Sequence, residues 1–186
     1  MSTSPELAPG GRGRREPLRD GTVVLLRGVP YDDPVARDLV ARVQQEYVER
    51  YGGPDAAVVD PAEFLPPAGL FLAASVGDEP AGCGAWRVHA PGVVEVKRVF
   101  VAPAFRRRGL AELIMSTLEG SAARAGHREV VLNTGRRQPE ALALYDRLGY
   151  RPVPGYGVYA GERGAVFLGK ALADPADDEE ERSWAS

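Results

Sequence analysis

The 186-residue chain is poor in the residue types that anchor several large protein classes. Its one cysteine, Cys83, allows no internal disulfide and no cysteine zinc site. Its two histidines, His89 and His127, lie far apart beside turns, so no metal site is expected. No apolar run approaches the roughly 20 residues needed to cross a bilayer. Residues 1–20 hold no apolar core of a secretory leader, so a cytoplasmic protein without membrane contact is expected. A basic excess is also missing. The net charge of −3 argues against a general nucleic-acid binder. Lysine occurs only at positions 97 and 170, and there is no internal repeat. With 44% hydrophobic and 26% charged residues, what remains is an ordinary single domain with a real core.

The ends are compositionally weak. Residues 1–20 are rich in Ser, Pro, Gly and Arg and read as a disordered arm; residues 173–186, with the acidic block Asp177 to Glu181, read as a disordered tail. Residues 21–172 form the expected domain. Val23–Leu26 reads as a strand. A helix follows from Pro34, after Asp32 and Asp33 as caps, with Val35, Leu39, Val40, Val43 and Tyr47 on one face and Gly52-Gly53 at its end. Residues 54–69 are a loop with one helical turn. Strands are expected at 70–76, 81–88 and 93–101, the last β-branched and central. Leu110, Leu113, Ile114 and Leu118 set a helix to about Ala125, and a strand over 129–132 then completes a parallel βαβ unit. Ala141, Leu144, Tyr145 and Leu148 give a last helix, followed by strands at about 151–159 and 164–170. The fold class is α/β (α+β), a mixed, mostly antiparallel sheet with one parallel crossover and helices on both faces.

Between the central strand and the long helix lies Val99-Phe100-Val101-Ala102-Pro103-Ala104-Phe105-Arg106-Arg107-Arg108-Gly109-Leu110-Ala111-Glu112. A strand, a proline turn, three arginines and a glycine opening a helix make an anion site. The helix start offers free N–H groups and the positive end of the dipole. Gly109 admits close backbone approach, and arginine forks clamp phosphate oxygens. A solvated basic turn is the plainer alternative.

Arg106-x-x-Gly109-x-Ala111 resembles the Q/R-x-x-G-x-G/A signature of the GCN5-related N-acetyltransferases. Glu95-Val96-Lys97-Arg98-Val99-Phe100-Val101-x-Pro103 is similar to the strand before that signature. Leu132-Asn133-Thr134-Gly135 and Ala141-Leu142-x-Leu144-Tyr145-x-x-x-Gly149-Tyr150 are similar to the family's later block. The resemblance implies the GNAT fold and acyl transfer, acetyl from acetyl-CoA foremost, to a primary amine of a small molecule or peptide. It implies no metal, and a monomer or homodimer. It places pyrophosphate on Arg106, Arg107, Arg108, Gly109, Leu110, Ala111 and Glu112, and pantetheine on the backbone of Val99, Phe100 and Val101. Asn133 and Gln138 complete the cofactor set, at positions where relatives carry a base Glu and a loop Asn respectively. The catalytic candidates are Glu95 as base, with an ion pair to Arg87, Lys97 or Arg98 as its alternative, and Tyr145 as the acid for the leaving thiolate. On a regular strand Glu95, Lys97, Val99 and Val101 share one face. Cys83 reads as a buried small hydrophobe. Tyr156 and Tyr159 are candidates for an acceptor pocket, and Asp55, Asp60 and Glu63 would suit a cationic amine. Two rivals remain: a non-catalytic acyl-CoA sensor, which would need neither Glu95 nor Tyr145, and a nucleic-acid binder using Arg12, Arg14, Arg15 and Arg106–Arg108.

Overall fold

The protein is described by a computed structural model covering residues 7–55, 57 and 59–173. Eight strands form one sheet: β1 (Arg14–Pro17), β2 (Val23–Gly28), β3 (Gly69–Val76), β4 (Glu79–Ala90), β5 (Val93–Val101), β6 (Glu129–Gly135), β7 (Arg151–Pro152) and β8 (Ala165–Ala171). Their spatial order is β1-β2-β3-β4-β5-β6-β8-β7. Every neighbouring pair is antiparallel except β5 and β6, the pair joined through the long helix. The helices are α1 (Pro34–Tyr51), α2 (Leu110–Arg124) and α3 (Pro139–Arg147).

The helices start and stop where local chemistry dictates. Asp33 caps α1 through its Oδ1, which accepts from the Val35 N–H at 2.8 Å; Pro34 fills the first turn, and Gly52 ends the helix in the left-handed region. Asp60 likewise caps a short 3-10 turn over Pro61–Phe64. α2 covers the sheet face of Gly82 and Gly84, where Ile114 and Leu118 approach too closely to leave room for a Cβ on Gly84. Trp86 is fully buried on that side, its Nε1 donating to Ser121 Oγ of α2 at 3.3 Å. On the opposite face Tyr31, just before α1, stacks on Phe64 and meets Phe71 edge-on.

Three expectations are corrected. First, residues 7–20 are not a disordered arm. β1 pairs with β2, and Leu7 and Leu18 are buried. An open sheet edge supplies backbone partners to any chain that reaches it, and composition does not show this. Residues 1–6 and the acidic tail from 174 lie outside the described residues.

Second, the strand expected over 151–159 is only Arg151–Pro152, followed by a 3-10 turn at Gly157–Tyr159. Pro152 and Pro154 cannot donate to a ladder, and Gly157 at φ 64 turns the chain away.

Third, β5 does not alternate regularly. Ala85 pairs with Lys97 but Cys83 with Phe100, so Gly84 opposes both Arg98 and Val99. Arg98 occupies the bulge at φ 60. Beyond the bulge the faces exchange. Val99 turns toward α2, with its Cγ2 beside Gly84. Arg98 joins Glu95 and Lys97 on the α1 face, where its guanidinium meets Tyr31 and Asp55. The Cys83 Sγ, fully buried, donates to the bulge carbonyl of Arg98 at 3.2 Å. Burial pushes that thiol well above its ordinary range, so it stays a packed donor.

Candidate active site

β5 and β6 pair only from Val93↔Glu129 to Val96↔Leu132. Past that point the parallel strands part, and a cleft of about 500 Å³ opens between them. It runs from the start of α2, at Gly109 to Glu112, past the backbone of Val99, Phe100 and Val101, to Tyr145 on α3. α1 closes one wall with Val43, Glu46, Tyr47 and Arg50. Seven cationic side chains line it (Arg19, Arg50, Lys97, Arg98, Arg106, Arg107 and Arg147) against three carboxylates, Glu46, Glu112 and Glu140. A cleft this positive in a chain of net charge −3 concentrates polyanions.

The loop into α2 has the geometry of a phosphate cradle. Arg107 (φ 62) and Gly109 (φ 88) both adopt left-handed backbone, which curls the chain tightly into the helix. The first α2 backbone bond runs from the Leu113 N–H to the Gly109 carbonyl, so the N–H groups of Leu110, Ala111 and Glu112 lack helical partners. A Cβ at Gly109 would come to 3.2 Å from Arg19 Cγ and Nε. The residues present therefore fit a pyrophosphate held by backbone N–H groups and arginines.

The three arginines of the loop divide. Arg107 is exposed at the cleft wall. Arg106 folds back: its Nε donates to the Val101 carbonyl at 2.9 Å and its guanidinium pairs with Glu46 of α1. It thereby occupies one of the strand groups expected to meet pantetheine. Arg108 does not line the cleft. It pairs with Asp20 at 3.1 Å and lies over the Phe105 ring. Its place is taken by Arg19, which sequence reasoning left in the arm. The Arg19 N–H donates to the Arg108 carbonyl at 3.1 Å, and its side chain crosses Gly109 to pair with Glu112. Arg147 of α3 reaches the same carboxylate at 3.2 Å.

Tyr145 lines the cleft and is 6% exposed. Burial, with a smaller contribution from Tyr47, raises its phenol well above the ordinary range, so it keeps its proton throughout the neutral range. Glu95 lines neither the cleft nor the cavity beside it. It is buried, with Oε2 held by Arg87 at 2.9 Å and Oε1 beside Lys97 Nζ at 3.5 Å. Arg87 also pairs with Glu63.

A second cavity of about 260 Å³ adjoins the cleft, sharing Tyr47, Lys97, Arg98, Asn133, Thr134 and Gln138 with it. Gln138 Oε1 accepts from Thr134 Oγ1 at 2.8 Å. Tyr159 lines this cavity, but Tyr156 does not; it packs against Phe167 and His89. The carboxylates expected to await a cationic amine are engaged elsewhere. Asp55 accepts from Arg98, Tyr159 and the Ala57 N–H. Burial pushes its carboxyl up, but those hydrogen bonds outweigh burial and hold it below its usual value. Glu63 is bound to Arg87, and Asp60 caps its turn. Periodicity could not reveal Arg19, Tyr51 or Arg147 as lining residues, because each reaches the site across a tertiary contact.

The sequence model of the "Acetyltransferase (GNAT) family" matches residues 37–150. An IAA acetyltransferase of Azospirillum brasilense is 28% identical over 151 residues, 81% of this chain and 98% of that protein. A solved Klebsiella pneumoniae structure assigned as an acyl-CoA N-acyltransferase shares 28% identity at a TM-score of 0.68, covering 81% of this chain and 98% of that one. A GNAT family acetyltransferase from Elizabethkingia anophelis with acetyl-CoA bound shares the fold, with a TM-score of 0.60 at 16% identity over 80% of this chain and 98% of that one.

Proposed function

Because the chain belongs to the GNAT family of acetyltransferases, we propose that it moves an acyl group, acetyl foremost, from coenzyme A to an amine. The observation that carries this is the positive cleft opened where β5 and β6 part, leading from the phosphate cradle to Tyr145. When bound, the thioester supplies the acyl carbon: the amine nitrogen bonds to it as the carbon–sulfur bond breaks, the nitrogen loses one proton, and the departing sulfur gains one.

The chain's own residues divide that work. The N–H groups of Leu110, Ala111 and Glu112 with Arg107 and Arg19 hold the pyrophosphate. Arg106 keeps the loop tied to β5 and α1. The free edge of β5 beyond Val96 lines the path of the pantetheine arm, and holding both reactants in the cleft supplies rate through proximity. Tyr145, which stays protonated in the neutral range, holds that proton at its hydroxyl for the leaving sulfur. Glu95, engaged by Arg87 and Lys97, acts as the counter-ion that positions Lys97, and the amine proton passes to solvent water in the open cleft.

The test is calorimetric. Gly109→Glu puts a side chain and a negative charge into the cradle, so acetyl-CoA binding should fall by about a hundredfold or more. Unchanged affinity would remove the phosphates from this loop.

A further inference from the structure

The second cavity is lined by two cations, Lys97 and Arg98, and two carboxylates, Asp55 and Glu162. Its buried carboxylate, Asp55, is fully engaged by Arg98, Tyr159 and the Ala57 N–H. Its other carboxylate, Glu162, is exposed at the rim and screened by solvent. The floor carries two cations, each paired with a carboxylate: Lys97 with Glu95 and Arg98 with Asp55. The Lys97 side chain is 5% exposed and lines both the cleft and this cavity. Its one partner among the described residues is Glu95 Oε1 at 3.5 Å, the outer limit of a hydrogen bond. Arg87 already holds the other Glu95 oxygen. An ammonium carries three donors, of which the contact to Glu95 uses one. Arg98 beside it spends Nε on Tyr31 and Nη1 on Asp55. Tyr47, Tyr51 and Tyr159 supply ring surface around the floor.

We infer that the acceptor is a small aromatic or apolar amine that carries its own carboxylate, with the carboxylate seated on Lys97 at the junction of the two cavities. This rests on the acyl-transfer reading and adds to it that the acceptor enters from the second cavity, which adjoins the cleft. It reverses the expectation of a cationic acceptor, since no unspent buried carboxylate lines the cavity among the described residues. The volume, about 260 Å³, suits a molecule of amino-acid size.

The experiment uses the full chain and matched probes: an aromatic amino acid, its carboxamide, and the corresponding decarboxylated amine. Each is titrated by calorimetry in the presence of coenzyme A, and each is assayed for thiol release from acetyl-CoA. The amino acid should bind about ten- to a hundredfold more tightly than the other two. Lys97→Met should erase that preference among the three probes, while Lys97→Arg should keep part of it. Thermal melting of each variant separates loss of the site from loss of the fold. Equal binding of all three probes, tighter binding of the decarboxylated amine, or binding of none would overturn the inference. Failure of coenzyme A itself to bind would instead overturn the acyl-transfer reading.

Discussion

Glu95 and Tyr145 sit about equally deep, yet their surroundings give them opposite chemistry. Glu95 has two cations on its two oxygens and lines neither the cleft nor the cavity beside it. Tyr145 faces the cleft with its proton held by burial. Tyr145→Phe should therefore slow the chemical step by about a hundredfold with little change in acyl-CoA affinity. Glu95→Gln should cost less than about tenfold in turnover, with the loss independent of pH, and should lower stability by about 3 kcal/mol because Lys97 and Arg87 lose a buried partner. A hundredfold loss that shrinks at high pH would restore Glu95 as the base. Pre-steady-state thiol release across pH separates these outcomes.

Asp55 is a second residue with a defined pH signature. Its carboxyl is held below the value of about 3.9 that it has in the unfolded chain. In the native state it binds a proton later than in the unfolded state, so its contribution is fully present above about pH 4 and is lost as pH falls through the native value. Asp55→Asn should destabilise by about 3 kcal/mol at pH 7, since the buried Arg98 loses its counter-charge. The gap to wild type should narrow in denaturant melts as pH falls below about 4. A constant gap would mean that the charge plays no part.

At the scale of elements, the proposed phosphate cradle is assembled from two distant segments. The 18–20 segment is tied to it three times: the Arg19 N–H on Arg108, Asp20 on Arg108, and Arg19 on Glu112. Glu112 shares its one negative charge between Arg19 and Arg147 beside the α2 start. Arg19→Ala should weaken coenzyme A by about tenfold and reduce the slope of log affinity against log salt, while pantetheine, which lacks the diphosphate, should bind as before. Equal loss for both ligands would make Arg19 a structural strap instead. The β5 bulge works at this scale too: one extra residue moves Arg98 to the α1 face and directs Val99 toward α2.

For the whole molecule, local signals were legible because they depend on neighbours in the chain. Asp33-Pro34 opens α1, Gly52 closes it, and the β5–α2 crossover makes the one parallel pair. The Arg106 to Glu112 stretch, Asn133, Gln138 and Tyr145 all meet the same cleft apart from Arg108. These follow from spacing, capping and the resemblance of ordered motifs, and the sequence alone determined them together with the fold class. Only the tertiary structure decided the rest. Whether β5 bulges depends on its register against β4, which places Gly84 opposite two residues. Whether Glu95 is free depends on Arg87, which reaches it from the neighbouring strand. Whether residues 14–17 fold depends on an open edge at β2. The physical reason is common to all three: a charge's partner and a strand's neighbour are set by distances through space, and periodicity along the chain carries no information about them.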